Sequence, residues 1–252
     1  MSKSSVELAS PAPATRGRKV AGRPVGVSNV REQILDAAEQ DFANHGYAGT
    51  TLREVAVTAG VTQALITYYF GTKQQLFEEV FLRRAVGIAS ERMRLLGELQ
   101  AAVTEPSIRD LVRTFLAPML GLRKSTGGRA FIRLHARLHT EPPEISYRLR
   151  SQAYDESMRA YVQAFRQALP GLPEKDLYWR ITLMVGAYLY AFSDAHRLEV
   201  LSEGICRPDD TNETHEQLLN FIVGGLEAVA TASRAAVTPK RRARAAKPRT
   251  TN

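Results

Sequence analysis

Between Asn29 and Gln75 the chain is punctuated so tightly that it has little choice but to form short, closely spaced helices. Thr51-x-x-Glu54 and Thr72-x-x-Gln75 are capping boxes, Asn29-x-x-Glu32 has the same spacing, and Thr62 is a further N-cap. Gly46 can supply a left-handed stop, and Gly60 and Gly71 end the two helices that follow. Val30, Ile34, Leu35, Ala37, Ala38 and Phe42 recur at helical spacing, which predicts a first helix over about 30–45. A short helix ending at Gly60, a third ending at Gly71 and a long one from Lys73 towards Leu99 follow. The tight Gly60-Val61 turn between the second and third gives the segment helix-turn-helix geometry.

The rest of the chain keeps the same period. Helices are expected at about 107–122, 128–140, 144–168, 174–200 and 213–232. Pro106, Gly127-Gly128, Pro142-Pro143, Pro170-Gly171-Leu172-Pro173 and the polar 207–210 stretch separate them. No alternating strand pattern of useful length is present. The expected fold is all-α, with about nine helices.

Charge divides the chain differently. The net charge is +8, of which residues 1–28 carry +4 and residues 238–252 carry +6, leaving −2 for 29–237. Both ends lack sustained periodicity and read as disordered. The expected organisation is a basic arm (1–28), a DNA-binding helix-turn-helix (29–75), a helical effector-binding and dimerisation domain (76–232) and a basic tail (233–252). The longest mostly apolar run, Ile181 to Phe192, is about half the roughly 20 residues that span a bilayer. No signal peptide is visible and Cys206 is the single cysteine, so a cytoplasmic protein with no membrane partner is expected.

In the third helix, Ile66, Tyr69 and Phe70 fall on one face and are expected to pack on the first helix. Gln63, Ala64, Thr67 and Tyr68 point the other way. A Gln amide can pair with the N6 and N7 edges of adenine, small or methyl-bearing side chains fit thymine methyls, and the Tyr68 hydroxyl can reach a phosphate. Free N–H groups at the helix starts after Thr51 and Thr72, with the charge of Lys73, suit phosphates of double-stranded DNA. A helical hairpin with a solvated polar face has the same outline.

Thr51-Leu52-Arg53-Glu54-Val55-Ala56, Ala59-Gly60-Val61-Thr62 and Tyr69-Phe70-Gly71-Thr72-Lys73 with Leu76 resemble the signature of the TetR family of regulators. Thr67 stands where that family usually has Tyr, and Gln63 where Lys is common; both bear on the operator, not on the fold. The resemblance implies a homodimer that reads a palindromic site and is released by a small ligand. Residues 29–82 hold three basic residues against seven acids, a net of −4, which repels DNA at long range. The arm, through Arg16, Arg18, Lys19 and Arg23, is expected to supply the salt-dependent affinity, its Gly-flanked arginines suiting a narrow minor groove.

The larger helical half resembles, through Phe131-Ile132-Arg133-Leu134, Leu172-Pro173 and Leu177-Tyr178-Trp179-Arg180, the fatty-acid-responsive TetR regulators of the PsrA type. That resemblance implies an apolar effector such as a fatty acid or acyl-CoA. The TetR resemblance implies dimerisation through the strongly apolar helices at about 174–200 and 213–232, which could equally be monomer core. Candidate pocket residues are Phe115, Met119, Leu134, Leu138, Tyr154, Met158, Tyr161 and Tyr188, although aromatic and Met stripes at this spacing equally build ordinary core. Arg133 and Arg137 could hold a carboxylate or form a solvated basic edge. His135 and His139 have metal-ligand spacing but no further clustered ligands, so no metal is expected. No cofactor is expected either, because a Gly-rich phosphate loop and a nucleophile elbow are absent; an enzyme is not supported. The rival reading is a ligand-blind architectural DNA-binding protein.

Overall fold

The computed structural model describes residues 27–193 and 196–229, and every regular element among them is helical. Ten helices follow in order: α1 (Val27–Gly49), α2 (Leu52–Ala59), α3 (Gln63–Phe70), α4 (Lys73–Ala102) and α5 (Ile108–Leu122), then α6 (Thr126–Leu138), α7 (Pro143–Ala168), α8 (Glu174–Ser193), α9 (His196–Leu201) and α10 (Thr211–Glu227). The expected all-α architecture holds, with one helix more than the nine expected. The arm residues Arg16, Arg18, Lys19 and Arg23, and the basic tail, lie outside the described residues.

The sequence punctuation acts as expected at α2, α3 and α4. Thr51 and Thr72 complete reciprocal capping boxes with Glu54 and Gln75, and Thr62 accepts the Leu65 N–H. Each cap is worth about 1 kcal/mol of helix stability. Gly60, at φ 63° and ψ 32°, closes α2 in the left-handed region, its N–H reaching the Ala56 and Val57 carbonyls. Gln33 of α1 donates to the Ala59 carbonyl at 2.7 Å, fixing where α2 ends.

Four of the expected elements differ in their bounds. Asn29 lies inside α1 rather than capping it, and α1 runs on to Gly49 through a non-helical Gly46 (φ 74°, ψ 176°). The segment 174–200 is two helices, not one, with α9 ending in a turn that carries Glu203 and Gly204 at positive φ. α10 starts two residues early, because the Asp210 carboxylate accepts the N–H groups of Asn212 and Glu213, and it ends at Glu227. Gly127-Gly128 is not a break but part of the first turn of α6, which Ser125 caps. A side chain at Gly128 would place its Cβ 2.0 Å from the Leu122 carbonyl oxygen, so only glycine allows α5 and α6 to meet so closely.

The buried residues form one continuous core from α1 to α10. Ile34, Ala38 and Phe42 of α1 are fully or nearly fully buried, with Val55 of α2, Ile66 of α3 and Phe77 of α4. Phe42, Tyr47 and Phe77 meet through their rings, Phe42 edge-on to Phe77 at 4.9 Å. α4 then carries the core onward through Val80, Phe81, Ala85 and Ile88 to Leu96, against α5, α6 and α7.

Candidate nucleic-acid interface and helical-domain cavity

α3 presents two faces of opposite character. Ile66 and Phe70 are buried and Tyr69 is half-buried, as the spacing predicts. Thr62, Gln63, Ala64, Thr67 and Tyr68 are all exposed, Tyr68 at 81 %. The Thr67 hydroxyl donates back to the Gln63 carbonyl at 3.2 Å, which turns its methyl group outward. A hydrogen-bonding amide, a methyl group, a small Ala and a phenol therefore share one solvent-facing surface, the mixture that base edges and phosphates require.

The helix starts on either side are less open than the sequence suggests. The Thr51 N–H is accepted by Glu54 Oε2 at 2.8 Å and the Thr72 N–H by Gln75 Oε1 at 2.9 Å, so neither is free for phosphate. The remaining unsatisfied donors are one and two residues further on. Hydrogen bonds from Thr51 hold the Glu54 carboxyl below the usual carboxylate range, so the start of α2 carries a fixed negative charge. Gln75 caps α4 without charge, so the start of α4 carries no such fixed negative charge.

Lys73 is also engaged within the fold. Its ammonium donates to the carbonyls of Tyr47 at 3.0 Å and Thr50 at 3.1 Å and lies 4.4 Å from the Tyr47 ring centre. An ammonium has three donors, so one is left for DNA. The side chain chiefly ties α4 to the α1–α2 link.

The acidity of residues 29–82 is offset in space by Arg83, Arg84 and Arg148, which lie outside that range, beside the Arg31 already counted within it. Arg84 clasps the buried Glu39 with bonds of 2.5 and 2.7 Å. Arg83 pairs with Glu32 and Asp36 at 3.1 and 2.9 Å, Arg31 with Glu79, and Arg148 of α7 with Glu78. These acids hold α1 and α4 to each other and to α7. Long-range repulsion of DNA is correspondingly weaker than the net charge of that segment implies.

Of the eight candidate pocket residues, Phe115, Met119, Leu134, Leu138, Tyr154, Tyr161 and Tyr188 are buried side chains of the core. Phe115 lies edge-on to Tyr161 at 5.1 Å and packs against Tyr188 at 5.9 Å. Met158 lines an open groove of about 1030 Å³ between α7 and α8. Val162, Ile181, Val185 and Leu189 supply its apolar walls, with Arg150, Arg159 and Arg166 at its edge.

Arg133 and Arg137 turn away from this groove. They donate to the Asn44 side chain at 3.3 Å and to the Asn44 carbonyl at 3.0 Å, at the end of α1. His135 is buried and His139 exposed, their rings 6.1 Å apart, and no group of three potential metal ligands exists among the described residues. Burial, and then the nearby Arg92, push the His135 pKa well below its ordinary value.

Sequence reasoning missed Arg92. It is 1 % exposed, although Ala85, Ile88 and Leu96 on the same stripe of α4 are apolar. An arginine on a buried stripe at i, i+4 spacing was the readable signal. Glu141 was missed as well, and nothing in its local sequence distinguishes it.

Comparison with known proteins agrees with this geometry. Residues 34–80 match the family described as bacterial regulatory proteins, tetR family, and residues 113–225 match the tetracyclin repressor-like C-terminal domain. The HTH-type transcriptional repressor AcnR of Corynebacterium efficiens is 41 % identical over 49 residues, 19 % of this chain and 26 % of that protein. AcnR of Corynebacterium diphtheriae is 31 % identical over 87 residues, 34 % of this chain and 40 % of the relative. These matches span less than half of the curated relatives. A TetR-like transcriptional regulator from Rhodococcus sp. RHA1 superposes with a TM-score of 0.55 at 18 % identity, covering 83 % of this chain and all of that one. With its helix-turn-helix and its larger helical domain each matched, the chain belongs to the TetR family of bacterial transcriptional regulators.

Proposed function

We propose that the chain is a homodimeric repressor that reads a palindromic operator through α3 and is released from it by a small apolar effector bound in the larger helical domain. The observation that carries the reading is the division of α3: Ile66 and Phe70 buried, Gln63, Ala64, Thr67 and Tyr68 exposed. In this reading residues 29–75 bind DNA and residues 76–232 bind effector and partner. Thr51, Thr62, Thr72 and Lys73 position the backbone, while Gln63 reads a base. The basic segment from Arg16 to Arg23 contributes sequence-independent, salt-dependent affinity.

Dimerisation is assigned to the outer faces of α8 and α10. Trp179, Leu183 and Tyr190 of α8 and Phe221 of α10 are all more than 60 % exposed, and Leu183 and Phe221 border the same shallow cleft. Large apolar side chains grouped on two adjacent helices mark an interface more often than a free surface. Two such pairs form a four-helix bundle that sets two α3 helices about one DNA turn apart, roughly 34 Å.

The effector is assigned to the α7–α8 groove and the aromatic core behind it. α4 connects that region to the DNA-reading segment, so ligand that shifts α4 changes the α3 separation. The test is selection of bound sequences from random DNA, followed by footprinting and titration. A palindromic site is expected, with Gln63→Ala weakening it by about 1–3 kcal/mol while barely changing binding to unrelated DNA. Equal loss on both DNAs would remove Gln63 from base reading, and failure to select any site would overturn the proposal.

A further inference from the structure

At the centre of the helical domain a positive charge is buried without a counter-ion. Arg92 is 1 % exposed, its Nε donates to the Phe115 carbonyl at 3.0 Å, and its Nη2 has no hydrogen-bond partner. Among the described residues no carboxylate pairs with it, whereas Arg31, Arg83, Arg84 and Arg94 all have one. Arginine stays protonated in proteins, and an unpaired buried charge is among the least favourable arrangements a core can hold. Ring faces offset part of this: the guanidinium lies 3.7 Å from the centre of Phe115, 5.7 Å from Tyr188 and 5.8 Å from Tyr154.

The same place gathers other unsatisfied groups. Seven buried side-chain atoms among the described residues lack a partner, and three of them are Arg92 Nη2, Tyr154 OH and His135 Nδ1. Tyr154 lies between the other two: His135 stacks on its ring at 5.1 Å with an interplanar angle of 21°, and the Arg92 guanidinium lies 5.8 Å from the centre of the same ring. Burial keeps His135 neutral, and a neutral ring can carry its proton on Nδ1. The cluster then offers three N–H or O–H donors and one positive charge. Its complement is a planar, acceptor-only anion of single charge, which describes a carboxylate. A phosphate or the diphosphate of a coenzyme brings more negative charge than one guanidinium balances.

We infer that Arg92, with Tyr154 and His135, binds the carboxylate of a ligand whose body is apolar and lies among these rings and towards the α7–α8 groove. The groove begins one helical turn away. Met158, four residues beyond Tyr154, and His139, four beyond His135, both line it. The inference rests on the reading that this domain holds the effector, and it specifies the chemistry: a free monocarboxylic acid, not its ester, amide or thioester. It also gives the ligand a direct hold on α4. Arg92 and Lys73 stand 19 residues apart on that helix, about 28 Å.

The probes are octanoate and 2-naphthoate, each set against its neutral primary amide and, for the first, against octanoyl-CoA. Calorimetry and thermal unfolding of the full chain are the readouts. At least one acid is expected to bind and raise the unfolding midpoint while its amide does not. Arg92→Met should weaken that acid by about 10- to 100-fold, the range for a hydrogen bond to a charged group. The ligand-free variant should unfold no earlier than the parent, since an unpaired charge has been replaced by an apolar side chain. Tyr154→Phe, which removes one orphaned hydroxyl and nothing else, should weaken the acid to a lesser extent and keeps the test alive if Arg92→Met misfolds. Acid and amide binding equally, neither acid binding at millimolar concentration, or acid affinity unchanged in both variants would overturn the inference. Titrating the same compounds into the protein–DNA complex separates the two proposals. An acid that binds through Arg92 yet leaves the complex intact sustains the carboxylate site and overturns effector release. Release by the amide or by octanoyl-CoA, with no response to either acid, does the reverse.

Discussion

The Glu141 carboxylate accepts the backbone N–H of Tyr47 at 2.8 Å, joining the α6–α7 connection to the end of α1 beyond its break at Gly46, across 94 residues of sequence. Tyr47 follows the helical break at Gly46, and its carbonyl is held from the other side by Lys73. Arg137 of α6 holds the Asn44 carbonyl just before the break. The segment that sets the position of α2 and α3 is thus gripped jointly by the larger domain and by the start of α4. Glu141→Ala is expected to speed hydrogen exchange at the Tyr47 amide and to cost about 1–2 kcal/mol in urea unfolding. DNA affinity should fall as well, because the reading helices lose part of their preorganisation. Unchanged exchange at Tyr47 would show that the clasp does not hold the link.

Glu54 and Gln75 close two capping boxes with the same backbone geometry and opposite consequences for DNA. Glu54 is ionised beside an α-helix start, where it competes with a phosphate for the same partial charge; Gln75 is neutral. Glu54→Gln keeps both hydrogen bonds and removes the charge. DNA affinity at low salt is expected to rise about two- to fivefold, the range for a single charge at a helix terminus, and Gln75→Glu to lower it by a similar factor. Fluorescence anisotropy over a salt series checks both. The two effects should shrink together as salt rises.

How far the sequence could be read depended on whether the physics was local. Thr51, Thr62 and Thr72 were legible as caps because a cap is decided within four residues, and the outward face of α3 followed from its length and period alone. Gly127-Gly128 misled because the reason for glycine there, the carbonyl of Leu122, is a neighbour contributed by packing. The eight pocket candidates are aromatic, Met and Leu side chains at helical spacing, and periodicity cannot tell a core side chain from a cavity wall. The charge of 29–82 was counted along the chain, whereas Arg148 approaches Glu78 only in the fold, 70 residues away. Lys73 looked like a phosphate ligand because its partners, the Tyr47 and Thr50 carbonyls, are invisible to any pattern of side chains.

The proposed dimer face makes a discrete prediction. Leu183 is 65 % and Phe221 72 % exposed, so a charge at either position costs the isolated subunit little. Buried in a four-helix bundle, the same charge would be unpaired and expensive. Leu183→Glu and Phe221→Glu are expected to give folded monomers by light scattering and helical circular dichroism, with operator binding reduced at least tenfold because one half-site is lost. Lys175→Ala, an exposed change on the same helix but away from the cleft, should leave the dimer intact. A dimer that survives both glutamate variants would move the interface elsewhere.

His135 makes stability depend on pH with a definite sign. Burial first, then Arg92, His139 and Arg150, hold its folded-state pKa well below 6.5, and Tyr154 stacks on its ring. The half-buried His215 and, through partial desolvation of its ring and then the nearby Arg150, the exposed His139 are shifted the same way. Below pH 6.5 the unfolded chain therefore takes up protons that the folded chain refuses. Stability is full above that pH and declines as it falls, by at most about 1.4 kcal/mol per pH unit for the buried His135 and by less for the solvent-screened His139. The carboxylates with lowered pKa, Glu54 and Glu91, lose their contributions in a separate window below their ordinary pKa of 4.5. Thermal midpoints should be level from pH 8 to 7 and fall from pH 6.5 to 5. His135→Phe keeps an aromatic ring against Tyr154 and Phe81 while removing both the titration and the orphaned nitrogen. It should flatten part of that fall and raise the midpoint at pH 7, whereas an unchanged slope would mean that the imidazole is reached by water in the folded state.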